Sequence, residues 1–474
     1  MAQNETQQEM KGFYKLSWLQ RIGFGSGDLA QNLIYQTICM YLLFFYTDIY
    51  GLKPGHAATM FLVVRLVDVL WDPLVGTYVD KHSPRWGKYR SYLVLAGVPL
   101  TVLAILCFWD GFADSSYTTK LVYAYVTYVG LSMLYTLINV PYGALNSSLT
   151  RDTDEITILT SVRMFMANCG GLAVGSGLPL LVAFLAPVAQ GEVDSLPKDS
   201  GAWFATMTVY AIVGLALLVF CFTQCKERVV MDESETKNVK VSDLWTEFLH
   251  NRPLRVIAFF FITAFAMMSV GNAAGSYFVT SNLHGSATQL SIFMGLGSIP
   301  SFIFMPLVPA IKRAIGKKQM FYVFLTVAIV GMLFLYVVAK MDEPSMTLVY
   351  MAQFVKSTGV IVATGYMWAL VPEVISYSEY TSGKRIAGIV NALTGIFYKA
   401  GMALGGVVPG AVLAYVNYNR ETIQQTPVAE EGILWLVCII PALLLALAMF
   451  IISKYELTDE VIDKINLEIE KRNK

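Results

Sequence analysis

The 474-residue chain is 55% hydrophobic and 14% charged, with a mean hydropathy of +0.55; these values exclude an ordinary soluble domain and place it in a bilayer. Its 34 basic residues are balanced by 34 acidic ones, which excludes the strongly basic balance of a nucleic-acid binder. A spanning helix takes about 20 apolar residues, and about twelve such stretches follow one another, at 22–48, 57–79, 91–112, 118–146, 156–187, 203–225, 253–282, 287–311, 318–339, 346–377, 385–416 and 431–453.

The polar leader "MAQNETQQEMKGFYKLSWLQ" lacks the apolar run of a signal peptide, so the N-terminus is expected to stay in the cytoplasm. The first helix carries "DLAQNLIYQ", with Asp28, Gln31, Asn32, Tyr35 and Gln36 at membrane depth. The second carries "RLVDVLWDPLVG", where each charge costs several kcal/mol in hydrocarbon. Asp68 and Asp72 are four apart and share one face, with Arg65 a turn before Asp68. Two carboxylates that close repel, and the pair becomes tolerable if it binds a cation, shares a proton or meets a basic residue. One arginine for two acids leaves a charge unmatched, which favours a functional reading over an internal charge network. The fourth helix carries "YTLINVPYG", with Tyr135 and Asn139 at i, i+4, Thr136 beside them and Pro141 breaking the ladder; the fifth offers "SVRMFMANCGG", with Arg163 and Asn168. Amides, hydroxyls, aromatic faces and one arginine suit a polyhydroxylated ligand, whereas any one of them alone reads as an interhelical hydrogen bond.

The polar break at 226–252 separates two six-helix halves, giving an N-terminal half at 1–225, a cytoplasmic linker, a C-terminal half at 253–453 and a tail at 454–474. The basic turn "GTYVDKHSPRWGKYR" after the second helix is matched in position by "PAIKRAIGKKQ" after the eighth, an echo expected of parallel transporter repeats. The linker reads as a short amphipathic helix along Val241, Leu244, Trp245 and Leu249, and the tail as another along Leu457, Val461, Ile465 and Ile469. In the tenth helix Lys356 sits near an uncertain edge, while Glu373 and Glu379 suit either gate pairs with basic loops or a plain helix end. Lys399 is buried in the eleventh, where a lysine pairs with carboxylates or loses its proton.

With both termini cytoplasmic, only Lys53, Lys120, Lys198, Lys340 and Arg420 fall outside, as the positive-inside rule requires. His56, His82, His250 and His284 fall in loops or at helix ends, so carboxylates must carry any proton. Cys39, Cys107, Cys169, Cys221, Cys225 and Cys438 make no disulfide or zinc pattern. No phosphate loop, nucleophile elbow or HExxH motif supports ATP-driven transport or common enzyme chemistry.

From "GFGSGDLAQNLIYQ" and "YLLFFYTDIYGL" through "RLVDVLWDP", "PRWGKYR" and "NVPYGAL" to "EVISYSEY" and "FYKAG", nearly the whole chain resembles the glycoside, pentoside and hexuronide cation symporters, typified by the melibiose permease. The resemblance implies an all-α major facilitator fold of twelve helices in two halves, not an enzyme, with its closest feel in the xyloside and glucuronide branch. It implies a coupling-cation site at Asp68, Asp72 and Thr136 with Lys399 in support, and sugar contacts from Asn32, Tyr135, Asn139 and Arg163, to which the polar stripes of the first and fifth helices add Tyr35 and Asn168. The turn with Asp80, Arg85, Gly87 and Lys88 resembles the facilitator signature loop, a gating element. Asn32 and Asn139 stand where the melibiose permease has aspartates, and Gly143 where it has tryptophan, which opens pentosides, xylosides or glucuronides. Trp71 replaces an asparagine of the sodium-using permease, and indole offers no oxygen to sodium. Proton coupling of a glycoside or pentoside is therefore the expectation, with Lys399 favouring the deprotonated acids between cycles. The alternatives are sodium-coupled symport of a glycoside or hexuronide, or a sugar-sensing receptor that does not transport. The expected partners are the sugar, its cation and the bilayer, without nucleic acid, cofactor or metal; the protein is expected to work as a monomer in the plasma (cell inner) membrane.

Overall fold

The computed structural model describes residues 14–150, 153–186, 196–228, 248–382, 387–419, 422 and 424–472. All regular structure among them is helical: α1 (18–49), α2 (Pro54–Lys81), α3 (Ser91–Cys107), α4 (Tyr117–Leu149), α5 (153–185), α6 (Ser200–Gln224), α7 (Arg252–Asn282), α8 (Ala287–Ile315), α9 (Lys317–Ala339), α10 (346–382), α11 (Ala387–Tyr415), α12 (Pro427–Ser453) and α13 (Asp459–Arg472). Each predicted membrane helix falls on one of α1–α12. Among the described residues, nine are long and apolar enough to cross a membrane and α3 is a shorter apolar helix. α1 and α2 fall outside that set and carry the polar residues of the candidate site.

Local chemistry fixes several helix starts. Ser17 and Gln20 form a reciprocal capping box at α1, and Asp199, Asn251 and Thr426 each accept the backbone N–H three residues on, at the starts of α6, α7 and α12. α1 and α7, the leading helices of their halves, both end in a wide turn, at Phe45–Ile49 and Phe278–Asn282.

The chain forms two compact units, Met1–Asp232 with His284–Gly295, and Glu233–Leu283 with Leu296–Lys474. The first turns of α8 belong to the first unit because Ser176 donates to the Ser291 carbonyl and Ser291 donates to that of Ser176. The first unit's aromatic core centres on Trp203, which meets Tyr41, Phe44, Phe45 and Phe108. In the second, Phe260, Phe321, Met367, Val374 and Leu445 share one apolar core. There Gly401 and Gly405 let α11 press onto α7, since a Cβ at either would strike the carbonyls of Ile262 and Ala266; close backbone approach of this kind is how membrane helices gain packing.

The linker's Val241, Leu244 and Trp245 lie outside the described residues; Leu249 is exposed, while Phe248 packs on Phe397 with ring centroids 5.2 Å apart. The tail does form a helix, but its apolar stripe is corrected. Leu457 and Ile465 are buried and Ile462 packs beside them, whereas Val461 is exposed; Ile462 and Ile465, one turn apart, carry the inward face, and Leu457 precedes the helix, which begins at Asp459. The side chain of Ile469 lies outside the described residues.

Lys312 Nζ meets Asp459 Oδ1 at 2.8 Å and Lys317 Nζ lies 3.6 Å away. Burial works to raise the Asp459 carboxyl, but the Lys312 hydrogen bond and the charge of Lys317 outweigh it and hold it below its ordinary value. A depressed folded value stabilises docking above the unfolded carboxyl's range and is lost only as pH falls through the lowered value, so the tail stays docked at neutral pH. Asp459→Asn is expected to speed proteolysis of the tail at pH 7, modestly, since a part-exposed pair contributes about 1 kcal/mol or less.

Candidate functional site

One face of α4 organises the first unit's polar residues. Positions 132, 135, 139 and 142 recur at helical spacing, so their side chains line a single stripe. At one end Ser132 Oγ donates to Asp68 Oδ1 at 2.5 Å, and Arg65 Nη1 donates to the other carboxylate oxygen at 3.2 Å. Asp68 is 7% exposed, with both oxygens engaged. Asp72 follows a turn later, half-buried. Trp71 turns to α4 and donates its indole N–H to the Met133 carbonyl at 3.0 Å, packing with Val75, Val79 and Tyr92.

Further along the stripe, Tyr135 stacks on Tyr35 of α1, with ring centroids 5.2 Å apart and planes inclined by 21°. Asn139 Nδ2 donates to Gln31 Oε1 at 3.1 Å. Tyr142 donates its hydroxyl to the Phe24 carbonyl at 2.6 Å, and its ring lies 4.8 Å from the Arg163 guanidinium. Arg163 of α5 is held by Asp28 through Nε and Nη2. Asn32 Nδ2 donates to the Asp28 carbonyl at 2.9 Å and its Oδ1 accepts from Gln36 at 3.3 Å. Thus α1, α4 and α5 bring Asn32, Tyr35, Tyr135, Asn139 and Arg163 into one constellation, joined along α4 to the Arg65–Asp68 pair. The arrangement offers stacked aromatic faces, amides and a fixed guanidinium beside a carboxylate pair.

Other predicted residues stand apart. Asn168 donates one amide N–H to the Met164 carbonyl of its own helix at 2.8 Å. Thr136 is buried at 7% exposure, but the α4 hydroxyl on Asp68 is that of Ser132, one turn earlier. Lys399 is half-buried on α11 of the second unit, and Lys356 lies on α10 where that helix's backbone crosses Gly331 of α9. Lys356 is half-buried there.

The gating candidates divide. Glu373, half-buried, accepts from the buried Lys317 Nζ at 2.7 Å and from Tyr455 Oη at 2.9 Å, which makes it an ion-pair centre and more than a helix end. Glu379 is half-buried on the same helix. In the loop before α3, Arg85 is exposed and Gly87 has φ +127°. The Lys88 N–H donates to Glu227 Oε2 at 2.9 Å. Asp80 lies in the last turn of α2, and its side chain lies outside the described residues.

Ser132, Tyr142 and Glu227 were missed as site residues. Ser132 and Tyr142 had a signal in their spacing along α4. Glu227, alone in a charged run at the linker's start, had none.

The family description "MFS/sugar transport protein" matches residues 23–459. The chain is 44% identical to the "Uncharacterized symporter YnaJ" of Bacillus subtilis (strain 168), covering 97% of this chain and 96% of that one. It is 32% identical to the "Glucuronide carrier protein homolog" of Escherichia coli (strain K12), covering 97% of both. It is 29% identical to the "Isoprimeverose transporter" of Lactiplantibacillus pentosus, covering 88% and 85%. Among solved structures, the nucleoside transporter NupG aligns with a TM-score of 0.61 over 92% of this chain and 99% of that one, at 13% identity, a likeness of fold. The helical architecture is thus the major facilitator fold, and the protein is a multi-pass membrane transporter, not an enzyme. It belongs to the MFS/sugar transport protein family, among the glycoside, pentoside and hexuronide cation symporters.

Proposed function

We propose that the protein is a proton-coupled symporter of a pentose-containing or related glycoside, acting in the plasma membrane with both termini cytoplasmic by alternating access of its two halves. The observation that carries the reading is the engagement of Asp68. Arg65 and Ser132 each donate to one of its two oxygens, and Trp71 takes the Met133 carbonyl, so fewer oxygen lone pairs remain for the several ligands that a sodium ion needs. A guanidinium beside two carboxylates leaves one negative charge that a single monovalent cation neutralises, and a proton does so without needing several further oxygen ligands, as sodium would. The constellation of Asn32, Tyr35, Tyr135, Asn139 and Arg163 supplies stacking and hydrogen bonding for a sugar ring. Relatives named for isoprimeverose and glucuronide support a glycoside as cargo.

Sugar-induced pH change in a lightly buffered, de-energised cell suspension, across a glycoside panel with and without sodium, tests this. Alkalinisation with one sugar, absent in cells without the protein, identifies cargo and proton together. Uptake that requires sodium and leaves the pH unmoved overturns proton coupling. Binding without flux of any panel sugar points to a receptor. Trp71→Asn frees the Met133 carbonyl and adds an amide oxygen, so it is expected to confer sodium-stimulated uptake; an equal sodium response in the parent would show that the indole excludes nothing.

A further inference from the structure

The chain leaving α6 does not pass freely into the linker. Glu227, three residues beyond the end of α6, reaches across to the start of α3 and accepts three consecutive backbone N–H groups: Lys88 on Oε2 at 2.9 Å, and Tyr89 and Arg90 on Oε1 at 2.7 and 2.8 Å. Those N–H groups belong to the turn at residues 88–90 that leads into α3, and a carboxylate beside a helix N-terminus is also favoured by the peptide dipoles.

The neighbouring residues reinforce the same joint. Arg90 returns the contact, donating from Nη1 to the Cys225 carbonyl at 3.3 Å while its guanidinium lies 5.2 Å from the Phe222 ring. On the other side of Glu227, the Arg228 N–H donates to the Ser148 carbonyl at 3.0 Å, and its guanidinium lies 5.0 Å from the ring of Tyr14. Tyr14 in turn exchanges two hydrogen bonds with Thr150. Residues 225–228 therefore fasten the α2–α3 loop, the end of α4 and the segment before α1 to the end of α6.

Gly87 is shaped by the same clamp. Its φ of +127° is a conformation side chains rarely adopt, and a Cβ there would lie 2.8 Å from Glu227 Oε1.

We propose that Glu227 is a positioning residue for the loop that carries Arg85 and Lys88, and that it ties the first residues of the inter-unit chain to that loop, so that the loop's order sets the rate of the transport cycle. The residue touches neither the candidate sugar contacts nor Asp68 and Asp72. The inference about loop order stands without the sugar reading; its consequence for rate rests on the transport reading.

The test places a reporter cysteine in the loop, Ser83→Cys, and a control cysteine in the second unit, Arg313→Cys, in the full-length protein in inside-out membrane vesicles. N-ethylmaleimide is the probe, with the labelling of the native cysteines subtracted. Glu227→Ala is expected to raise the labelling rate at position 83 about tenfold, as loss of a local closure worth one decade would, and to leave position 313 unchanged. Glu227→Gln keeps the shape and one acceptor oxygen but turns an NH2 toward at least one backbone N–H, so its rate should fall between the two. The thermal midpoint of the purified protein guards against global unfolding, which would raise both positions together. Unchanged labelling at 83 in both variants overturns the positioning role. Faster labelling at 83 with an unchanged maximal rate of uptake, for a glycoside that the pH panel identifies, overturns the consequence for the cycle. The proposal expects that maximal rate to fall several-fold while the half-saturating sugar concentration stays within about twofold.

Discussion

Asp68→Asn is expected to abolish uphill accumulation of sugar. The carboxylate is the partner of Arg65 and the acceptor for Ser132, so the substitution removes both a protonatable group and the counter-charge of a partly buried guanidinium. Breaking one side of a buried pair costs about 3–5 kcal/mol, enough to lower the amount of protein in the membrane by itself. The double variant Arg65→Gln/Asp68→Asn separates the two effects. It removes charge from both partners, and should recover much of the lost protein while still failing to concentrate sugar. Accumulation ratios per molecule in the membrane, measured for both variants, decide the matter. Concentrative uptake preserved in either would remove Asp68 from coupling.

Arg163→Ala is expected to weaken sugar binding by roughly tenfold to a hundredfold, the range that one or two hydrogen bonds to a charged group supply. The guanidinium is held by Asp28 through Nε and Nη2 and rests against the ring of Tyr142, so its remaining N–H groups are aimed without any cost of ordering when sugar arrives. Truncation also leaves Asp28, 9% exposed, without its counter-charge. Asp28→Asn/Arg163→Gln is therefore the necessary companion, and it should fold better than Arg163→Ala while binding sugar no more tightly than that variant. Binding measured by sugar protection against heat separates the outcomes, and unchanged affinity in both would take α5 out of the sugar site.

Hydropathy located α4–α12 because an apolar stretch of spanning length needs no tertiary information. The same apolar stretches located α1 to α3, and within α1 and α2 the charges of Asp28, Arg65, Asp68 and Asp72 stand out because charge is costly there. Which atoms those groups meet was less accessible. Ser132 and Thr136 are one turn apart on α4, and only the rotation and height of α4 against α2 decide which hydroxyl reaches Asp68. Periodicity fixes a face but not a register between helices. The tail shows the same limit, since Val461 and Ile462 are adjacent and only the rotation of α13 against its neighbours decides that Ile462 packs inward. Glu227 was out of reach altogether, because its partners lie more than a hundred positions away and are backbone N–H groups, which carry no side-chain signature in the sequence.

The Arg65–Asp68 pair also bears on how the protein is made. Both residues lie on α2, three apart, so the ion pair can close as soon as that one helix forms, before any other segment is present. Each lone charge at mid-membrane adds about 2.5–3.5 kcal/mol to the insertion of a helix. A pair closed within the helix enters as a dipole, which removes two lone charges from the cost of inserting α2. The residues proposed to move the proton thereby also lower the barrier to delivering their own helix into the bilayer.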